Sequence, residues 1–210
     1  MGGSQHTGFH GILGSMSNPL RLAVLLSGSG RSLANLLESI AAGDLSASVE
    51  TVISNRPDAR GVKIAEASGI DTHILSRGTQ SAEQWSTAVF DICRDLRADL
   101  VVMAGFLQHI TIPEDFQSKV INIHPSLLPS FGGKGFHGMH VHRAVLERGC
   151  TVSGCTVHFV DNEYDHGRIL LQETVRVLPD DSPETLAARV FAAECVTLPK
   201  AIRRVQMGLS

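Results

Sequence analysis

Residues 21–40 read RLAVLLSGSGRSLANLLESI and decide the first unit of the fold. The apolar run from Leu22 to Leu26 predicts a buried strand, and the leucines that follow at helical spacing predict an amphipathic helix. Between them, a glycine-rich turn leaves N–H groups unpaired at the positive end of the helix dipole. This unit predicts a phosphate site to which Gly30, Arg31 and Ser32 contribute.

The same turn has alternative interpretations. Its glycines could serve only the positive φ angles of a tight turn, without any ligand. The hydroxyl groups and the cation within residues 27–32 favour an anion-binding role. A dinucleotide fingerprint would need a third glycine where Leu33 stands, and an acidic residue where Asn55 follows the second predicted strand. The sequence therefore disfavours NAD.

Short apolar segments alternate with helical patterns over the first two thirds of the chain. This alternation is typical of a parallel sheet flanked by helices. Two further strands, separated by the polar turn DNEYDHGR, predict an antiparallel addition near the C-terminal side. The predicted strands are Leu22–Leu26, Val49–Ile53, Thr72–Leu75, Leu100–Met103, Val120–Ile123, Thr151–Val160 and Ile169–Val177. The predicted fold class is α/β with a mostly parallel central sheet.

Two predicted helices carry specific expectations. In Ala82–Arg97, apolar residues at helical spacing form one buried stripe, which places Trp85 in the core. A later helix begins at Ser182 with Pro183 in its first position. Pro199 is expected to divide that helix in two, because proline lacks the N–H that a helix interior needs.

Composition limits the functional classes. With 210 residues, 43% of them hydrophobic and 19% charged, the chain suits one globular domain, which we expect to span residues 21–210. Residues 1–20 are expected to be a disordered leader or a cloning remnant. A net charge of −3 without basic clusters argues against nucleic acid, and no apolar run is long enough to cross a membrane.

The cysteines indicate the compartment. Cys93, Cys150, Cys155 and Cys195 match no zinc-site spacing, and they lie in apolar segments of a chain without an export signal. We therefore expect buried, reduced thiols in a cytoplasmic protein. Separately, we expect the protein to be either a monomer or a homodimer.

The segment VINIHPSLLPSF, residues 120–131, ends a predicted strand with two polar side chains. Strand alternation points Asn122 and His124 to the same side. An amide and an imidazole there supply oxyanion donors and a proton acceptor, as acyl transfer to an amine requires. Asp165, in the later polar turn, would orient the His124 ring and favour its protonated form. Each residue alone also has a structural interpretation, as a strand-end cap, a backbone-bonded histidine and a turn former.

Five motifs occur in the order that one family displays. INIHPSLLPSF resembles the signature of the folate-dependent formyltransferases, and SGSGRSLANLL, SNRPDARG, VVMAGFL and GCTVHFVDNEYDHG resemble its companion motifs. The resemblance covers about residues 21–205. It implies a Rossmann-like formyltransferase domain. It also implies transfer of a formyl group from the co-substrate 10-formyltetrahydrofolate to the amine of glycinamide ribonucleotide in purine biosynthesis, without a metal.

The resemblance also implies residue roles. Asn122 and His124 match the catalytic pair that stabilises the oxyanion, and Asp165 matches the acid that orients the imidazole and assists proton transfer. The positions that match the family's ribonucleotide site are Gly30, Arg31, Ser32 and Glu194, the last as a ribose contact. The positions that match its folate site are Leu107, Gln108, His109, Ile110, Asn122, Asp161, Asn162, Glu163, Tyr164 and Asp165.

The sequence departs from the usual family pattern at several positions. Ser32 stands where Asn is frequent, Ala82 where some members have Arg, and Arg168 where Pro is common. The stretch FGGKGFHGMHVH, residues 131–142, is longer than the short loop of some members and adds histidines beside the predicted site.

Other functions remain alternatives. His137, His140, His142 and His158 suggest a metal site, although a helix beginning near His140 would turn His140 and His142 apart. A formyltetrahydrofolate hydrolase would use the same catalytic trio with water as nucleophile, but such enzymes usually carry a further N-terminal domain. A methionyl-tRNA formyltransferase would need a further C-terminal domain and a basic face. A catalytically silent nucleotide-binding module would need only the phosphate loop.

Overall fold

The computed structural model describes residues 18–209, which contain seven strands, five α-helices and one short 3₁₀-helix, Glu114–Phe116. The strands are β1 Leu20–Leu26, β2 Ala47–Ser54, β3 Asp71–Ile74, β4 Leu100–Met103, β5 Val120–His124, β6 Val152–Phe159 and β7 Ile169–Arg176. The helices are α1 Arg31–Ala41, α2 Arg60–Ala67, α3 Ala82–Asp95, α4 Met139–Glu147 and α5 Pro183–Gln206. None of these helices is both long and apolar enough to cross a membrane. Most of the predicted leader, residues 1–17, lies outside the described residues.

All seven strands pair in one sheet with the order β3-β2-β1-β4-β5-β6-β7. The first five strands of this order are parallel, and β6 and β7 are antiparallel to their neighbours. The predicted Rossmann-like α/β class, with an antiparallel addition, is therefore confirmed. Within the sheet, β2 lies on one side of β1 and β4 lies on the other, so the direction in which strands are added reverses between them. The carboxyl ends of β1 and β4 consequently open a crevice at a topological switch point.

Alternation along β1 divides the core between the two faces of the sheet. Leu22, Val24 and Leu26 pack in the larger apolar cluster, to which α1, α2, α4 and α5 contribute. Side chains of the opposite alternation pack with Trp85 of α3 in the second cluster. Trp85 is 1% exposed, and its Nε1 donates a hydrogen bond to the carbonyl of Leu75 at 2.8 Å. Its predicted place in the core is confirmed.

Helix α5 is continuous, so the prediction that Pro199 divides it was wrong. The start is as predicted, with Ser182 as the cap and Pro183 in the first turn. Proline at position 199 leaves the carbonyl of Cys195 without its helical donor. Asn35 of α1 supplies the missing donor, because its Nδ2 lies 2.9 Å from that carbonyl oxygen. A side chain from another helix thus stabilises the helix across its proline.

We expect Asn35→Ala to lower the free energy of unfolding by about 1–2 kcal/mol, because the carbonyl of Cys195 then loses its donor. In a Pro199→Ala background the new N–H can bond that carbonyl, and the same change should cost clearly less. Urea denaturation of the four proteins measures the coupling. Equal losses in both backgrounds would contradict the compensation.

The four cysteines are all free thiols, but they are not equally buried. Cys93 and Cys155 are buried, whereas Cys150 and Cys195 are only half-buried. The expectation of uniform burial was therefore half right. Burial raises the pKa of Cys93 to about 12, so this thiol is not a nucleophile.

Candidate active site

A cavity of about 630 Å³ opens at the carboxyl ends of β1, β4 and β5. Its walls come from the turn after β1, the loop after β4, the loop before α4, the β6–β7 turn and α5. All but one of the predicted site residues line it, namely Gly30, Arg31, Ser32, Leu107, Gln108, His109, Ile110, Asn122, His124, Asp161, Glu163, Tyr164, Asp165 and Glu194. The exception is Asn162.

The turn after β1 forms one end of the cavity. Gly30, the N-cap residue of α1, has a φ of 70°. A side chain there would also collide with the backbone of Gly61 in α2, so only glycine fits. Arg31 and Ser32 follow in the first turn of α1. The unpaired N–H groups and positive dipole end of α1 make this end suitable for an anion.

Ser27 has a different role from the one that the turn suggests. Its side chain is buried, and its Oγ accepts a hydrogen bond from the backbone N–H of Leu107 at 2.9 Å. The sheet pairing continues through Ser27, whose N–H donates to the carbonyl of Gly105 at 3.0 Å. The hydroxyl therefore joins two loops and is not offered to an anion.

Asn122 on β5 pairs with His158 on β6. Nδ1 of His158 lies 2.8 Å from the carbonyl oxygen of Phe159 and therefore carries the proton. Nε2 of His158 then accepts a hydrogen bond from Nδ2 of Asn122 at 3.2 Å. His158 thus fixes the orientation of the amide. This role of His158 was not predicted, although an antiparallel strand beside β5 can place it opposite Asn122.

His124, at the end of β5, is 4% exposed. Its Nε2 lies 2.9 Å from the carbonyl oxygen of Phe131, so this nitrogen carries the proton. Its Nδ1 lies 3.6 Å from Oδ2 of Asp165, too far for a hydrogen bond, and no other group within residues 18–209 bonds it. Oδ2 of Asp165 accepts from the N–H of Gly133 at 2.9 Å. The structure brings His124 and Asp165 together and leaves Nδ1 free for a substrate atom.

Burial dominates the protonation of His124. It lowers the pKa of the ring more than the negative charge of Asp165 raises it. Asp165 thus favours the protonated form of the ring, as predicted, but its effect is smaller than that of burial. Burial raises the pKa of the Asp165 carboxyl, but the N–H of Gly133, and His158 and His124 when they are protonated, together hold it below its usual value. The resting pair is a neutral imidazole beside a carboxylate.

Two loops form the opposite end of the cavity. Nε2 of His109 donates to the carbonyl of Asn162 at 3.2 Å, and the His109 ring lies 5.0 Å from that of Tyr164, centroid to centroid. The side chain of Asn162 points elsewhere, since its Oδ1 accepts from the N–H of Ile112 at 2.8 Å. The side chain of Asn162 therefore braces the two loops and does not line the cavity, and its contact with a folate stays a prediction.

The longer loop, residues 131–142, forms part of the wall of the cavity. Gly132 has no room for a side chain, because a Cβ would meet Leu128 and Asp165. Since α4 begins at Met139, His140 is exposed while His142 is buried, and the predicted separation of the two is confirmed. Within residues 18–209, no group of three or more His, Cys, Asp or Glu could hold a metal ion.

Helix α5 completes the wall beside Arg31. The Cζ atom of Arg31 lies 4.0 Å from the centroid of the Phe191 ring. Burial raises the pKa of Glu194 to about 7, although the charge of Arg31 acts in the opposite direction. This end of the cavity thus combines a cation, an aromatic ring and an acid that titrates near neutrality.

Known proteins share this sequence and fold. Residues 20–202 match the family described as formyl transferase. A chloroplastic phosphoribosylglycinamide formyltransferase of Arabidopsis thaliana is 39% identical over 187 residues, covering 86% of this chain and 64% of the relative. The phosphoribosylglycinamide formyltransferase of Haemophilus influenzae is 35% identical over 186 residues, covering 87% of this chain and 85% of the relative. Glycinamide ribonucleotide transformylase 1 from Symbiobacterium toebii has a crystal structure with a TM-score of 0.82 and 35% identity, covering 92% of this chain and 90% of that chain.

Coverage differs among these relatives. The chain spans less than two thirds of the length of the plant relatives it matches, 64% for Arabidopsis thaliana and 57% for Vigna unguiculata. The family match itself extends over nearly all of the described residues. The chain belongs to the formyl transferase family.

Proposed function

We propose that the protein transfers the formyl group of 10-formyltetrahydrofolate to the amine of glycinamide ribonucleotide, a step of purine biosynthesis that leads to IMP. The products are formylglycinamide ribonucleotide and tetrahydrofolate. One observation carries this proposal: a single cavity joins an anion-binding helix end, an amide–imidazole–carboxylate centre and two loops with exposed apolar groups. Family membership and the names of the relatives support the same reaction. Residues 21–210 would act as one formyltransferase domain.

The ribonucleotide occupies the end of the cavity at α1. The backbone around Gly30, the hydroxyl of Ser32 and the guanidinium of Arg31 bind the phosphate. Glu194, on the same wall, accepts hydrogen bonds from the ribose hydroxyls. Because burial raises the pKa of Glu194 to about 7, its ionised and protonated forms coexist near neutral pH.

The folate occupies the other end. Leu107 and Tyr164 are 52% and 46% exposed, and they offer apolar surface to a flat ring system. Gln108, His109 and Ile110 line the same loop, and Asp161 and Glu163 line the facing turn. Asn162 contributes by holding the two loops together.

The central residues carry the transfer. The amine nitrogen attacks the formyl carbon and forms a C–N bond, while the carbonyl electrons move onto oxygen. Nδ1 of His124 takes the amine proton, and the resulting imidazolium and the Asn122 amide stabilise the oxyanion. Asp165 stabilises the imidazolium. Collapse of the intermediate breaks the bond between the carbon and N10 of the folate, which receives the proton and leaves as tetrahydrofolate.

The test of this function mixes the protein with 10-formyltetrahydrofolate, with and without glycinamide ribonucleotide, and follows folate absorbance. Tetrahydrofolate should appear only when the ribonucleotide is present. Equal turnover without the ribonucleotide would identify a hydrolase. An absence of turnover in both mixtures would contradict both enzymatic functions and indicate a protein that only binds its ligands.

Arg31→Ala is expected to raise the KM for glycinamide ribonucleotide about tenfold and to change kcat little, because a phosphate contact serves ground state and transition state alike. Arg60→Ala is a matched control, since Arg60 begins the neighbouring helix α2 but does not line the cavity. Initial rates measured at varied concentrations of the ribonucleotide give both KM and kcat. A fall in kcat with an unchanged KM would contradict the assigned contact.

We also propose that the protein works in the cytoplasm, as a monomer or a homodimer. The four free cysteines support a reducing compartment.

A further inference from the structure

Arg31 is an unpartnered cation at the ribonucleotide end of the cavity. No carboxylate or carbonyl within residues 18–209 forms a hydrogen bond or an ion pair with its guanidinium. Its close contact is the ring of Phe191, whose centroid lies 4.0 Å from Cζ. A guanidinium at this distance over an aromatic face is attracted by the π electrons and stacks on the ring.

Two contacts, one helical turn apart, connect α1 with α5. The guanidinium of Arg31 lies over the ring of Phe191, and four residues later in each helix Asn35 donates to the carbonyl of Cys195. Residues four apart lie on the same face of a helix. The hydrogen bond of Asn35 therefore fixes the register that keeps the Phe191 ring beneath Arg31.

Glu194 of α5 is an acid near Arg31, whose positive charge lowers the pKa of this carboxyl group against the larger effect of burial. It forms no ion pair with Arg31 within 4.0 Å among the described residues. A carboxylate on the guanidinium would neutralise its charge and occupy the N–H groups that a phosphate needs. An aromatic ring holds the cation without either effect, because it carries no net charge and leaves the in-plane N–H groups unbonded.

We propose that Phe191 is a positioning residue for phosphate recognition, whose ring holds the Arg31 guanidinium flat and leaves its N–H edge free for the phosphate of the acceptor. This inference rests on the proposed function, which supplies the phosphorylated ribose as the ligand. It assigns a role in anion binding to a side chain that has no anion-binding group of its own.

Calorimetric binding of glycinamide ribonucleotide, and of the same nucleoside without phosphate, tests the proposal. Phe191→Leu should raise the Kd for the ribonucleotide about threefold to tenfold and leave the Kd for the nucleoside unchanged. Phe191→Tyr retains the ring face and should restore the Kd to within about twofold of wild type. In an Arg31→Ala background, Phe191→Leu should cause no further loss. In turnover, Phe191→Leu should raise the ribonucleotide KM and leave kcat near wild type.

The outcomes separate positioning from packing. An equal loss for both ligands, or a loss that persists without Arg31, would assign Phe191 to packing and overturn the proposal. A wild-type protein that does not prefer the phosphorylated ligand would overturn it as well. Phe191→Met provides a second ring-free variant if the leucine variant does not fold. If the wild type shows the phosphate preference and the Phe191 effect but releases no tetrahydrofolate, formyl transfer fails while the role of Phe191 stands.

Discussion

Replacing His124 with alanine is expected to lower kcat on the order of a hundredfold or more while the Kd for the ribonucleotide stays nearly unchanged. The variant loses the nitrogen that takes the amine proton, and it loses the donor that stabilises the oxyanion. Both effects arise mainly in the transition state, so they reduce kcat more than ground-state binding. A hundredfold loss corresponds to about 2.7 kcal/mol of transition-state stabilisation.

His140→Ala is the matched control for this variant, because His140 is an exposed histidine on α4 that does not line the cavity. Its kcat should remain at the wild-type value. Rapid-mix and steady-state rates, together with calorimetric Kd values, measure the expected separation of chemistry from binding. A His124→Ala enzyme with wild-type turnover would remove His124 from the mechanism.

Local sequence predicts the features that depend on neighbouring residues. The strand, glycine turn and helix of residues 21–40 follow from apolar spacing, and the close approach of Gly30 to α2 uses the same glycine that the turn requires. The alternation that points Asn122 and His124 to one side is also local, since it needs only the period of a strand. These features could therefore be predicted without knowing the rest of the fold.

Features that depend on distant residues could not be predicted in this way. Pro199 is tolerated because Asn35, remote in the chain, donates to the carbonyl of Cys195. His158 orients Asn122 only because β6 pairs with β5 in a particular register. The pKa of His124 falls because burial by the whole fold outweighs one nearby carboxylate. In each case the deciding partner is set by tertiary packing, which a local pattern does not encode.

The segment from Phe131 to Gly133 links the two halves of the acid–base pair. The carbonyl of Phe131 fixes the proton of His124 on Nε2, and the N–H of Gly133 holds Oδ2 of Asp165. Because both bonds come from one short stretch of backbone, the separation of 3.6 Å between the ring and the carboxylate is set by the loop itself. The backbone of this longer loop, including Gly133, therefore positions the acid–base pair His124 and Asp165.

Asp165→Asn is expected to lower kcat by about a hundredfold, because the imidazolium formed during transfer loses its negative partner. Two unit charges near 4 Å interact by on the order of 4 kcal/mol at an effective dielectric constant of about 20, enough for an effect of this size. The amide oxygen of asparagine can still accept the bond from Gly133, so the loop should keep its position. Asp58→Asn provides the matched control, because Asp58 is a carboxylate that pairs with Arg56 and does not line the cavity.

The same variant should move the pH profile in a direction that follows from the charges. The reaction needs neutral His124, so kcat/KM falls as pH drops through the pKa of this ring, which burial already holds below its usual value. The Asp165 charge raises that pKa, and its removal should lower it further. The acid limb of the Asp165→Asn profile should therefore lie at lower pH than that of the wild type, and an NMR titration of the His124 ring should shift with it. A limb that stays in place, or moves to higher pH, would mean that Asp165 acts through the geometry of the loop and not through its charge.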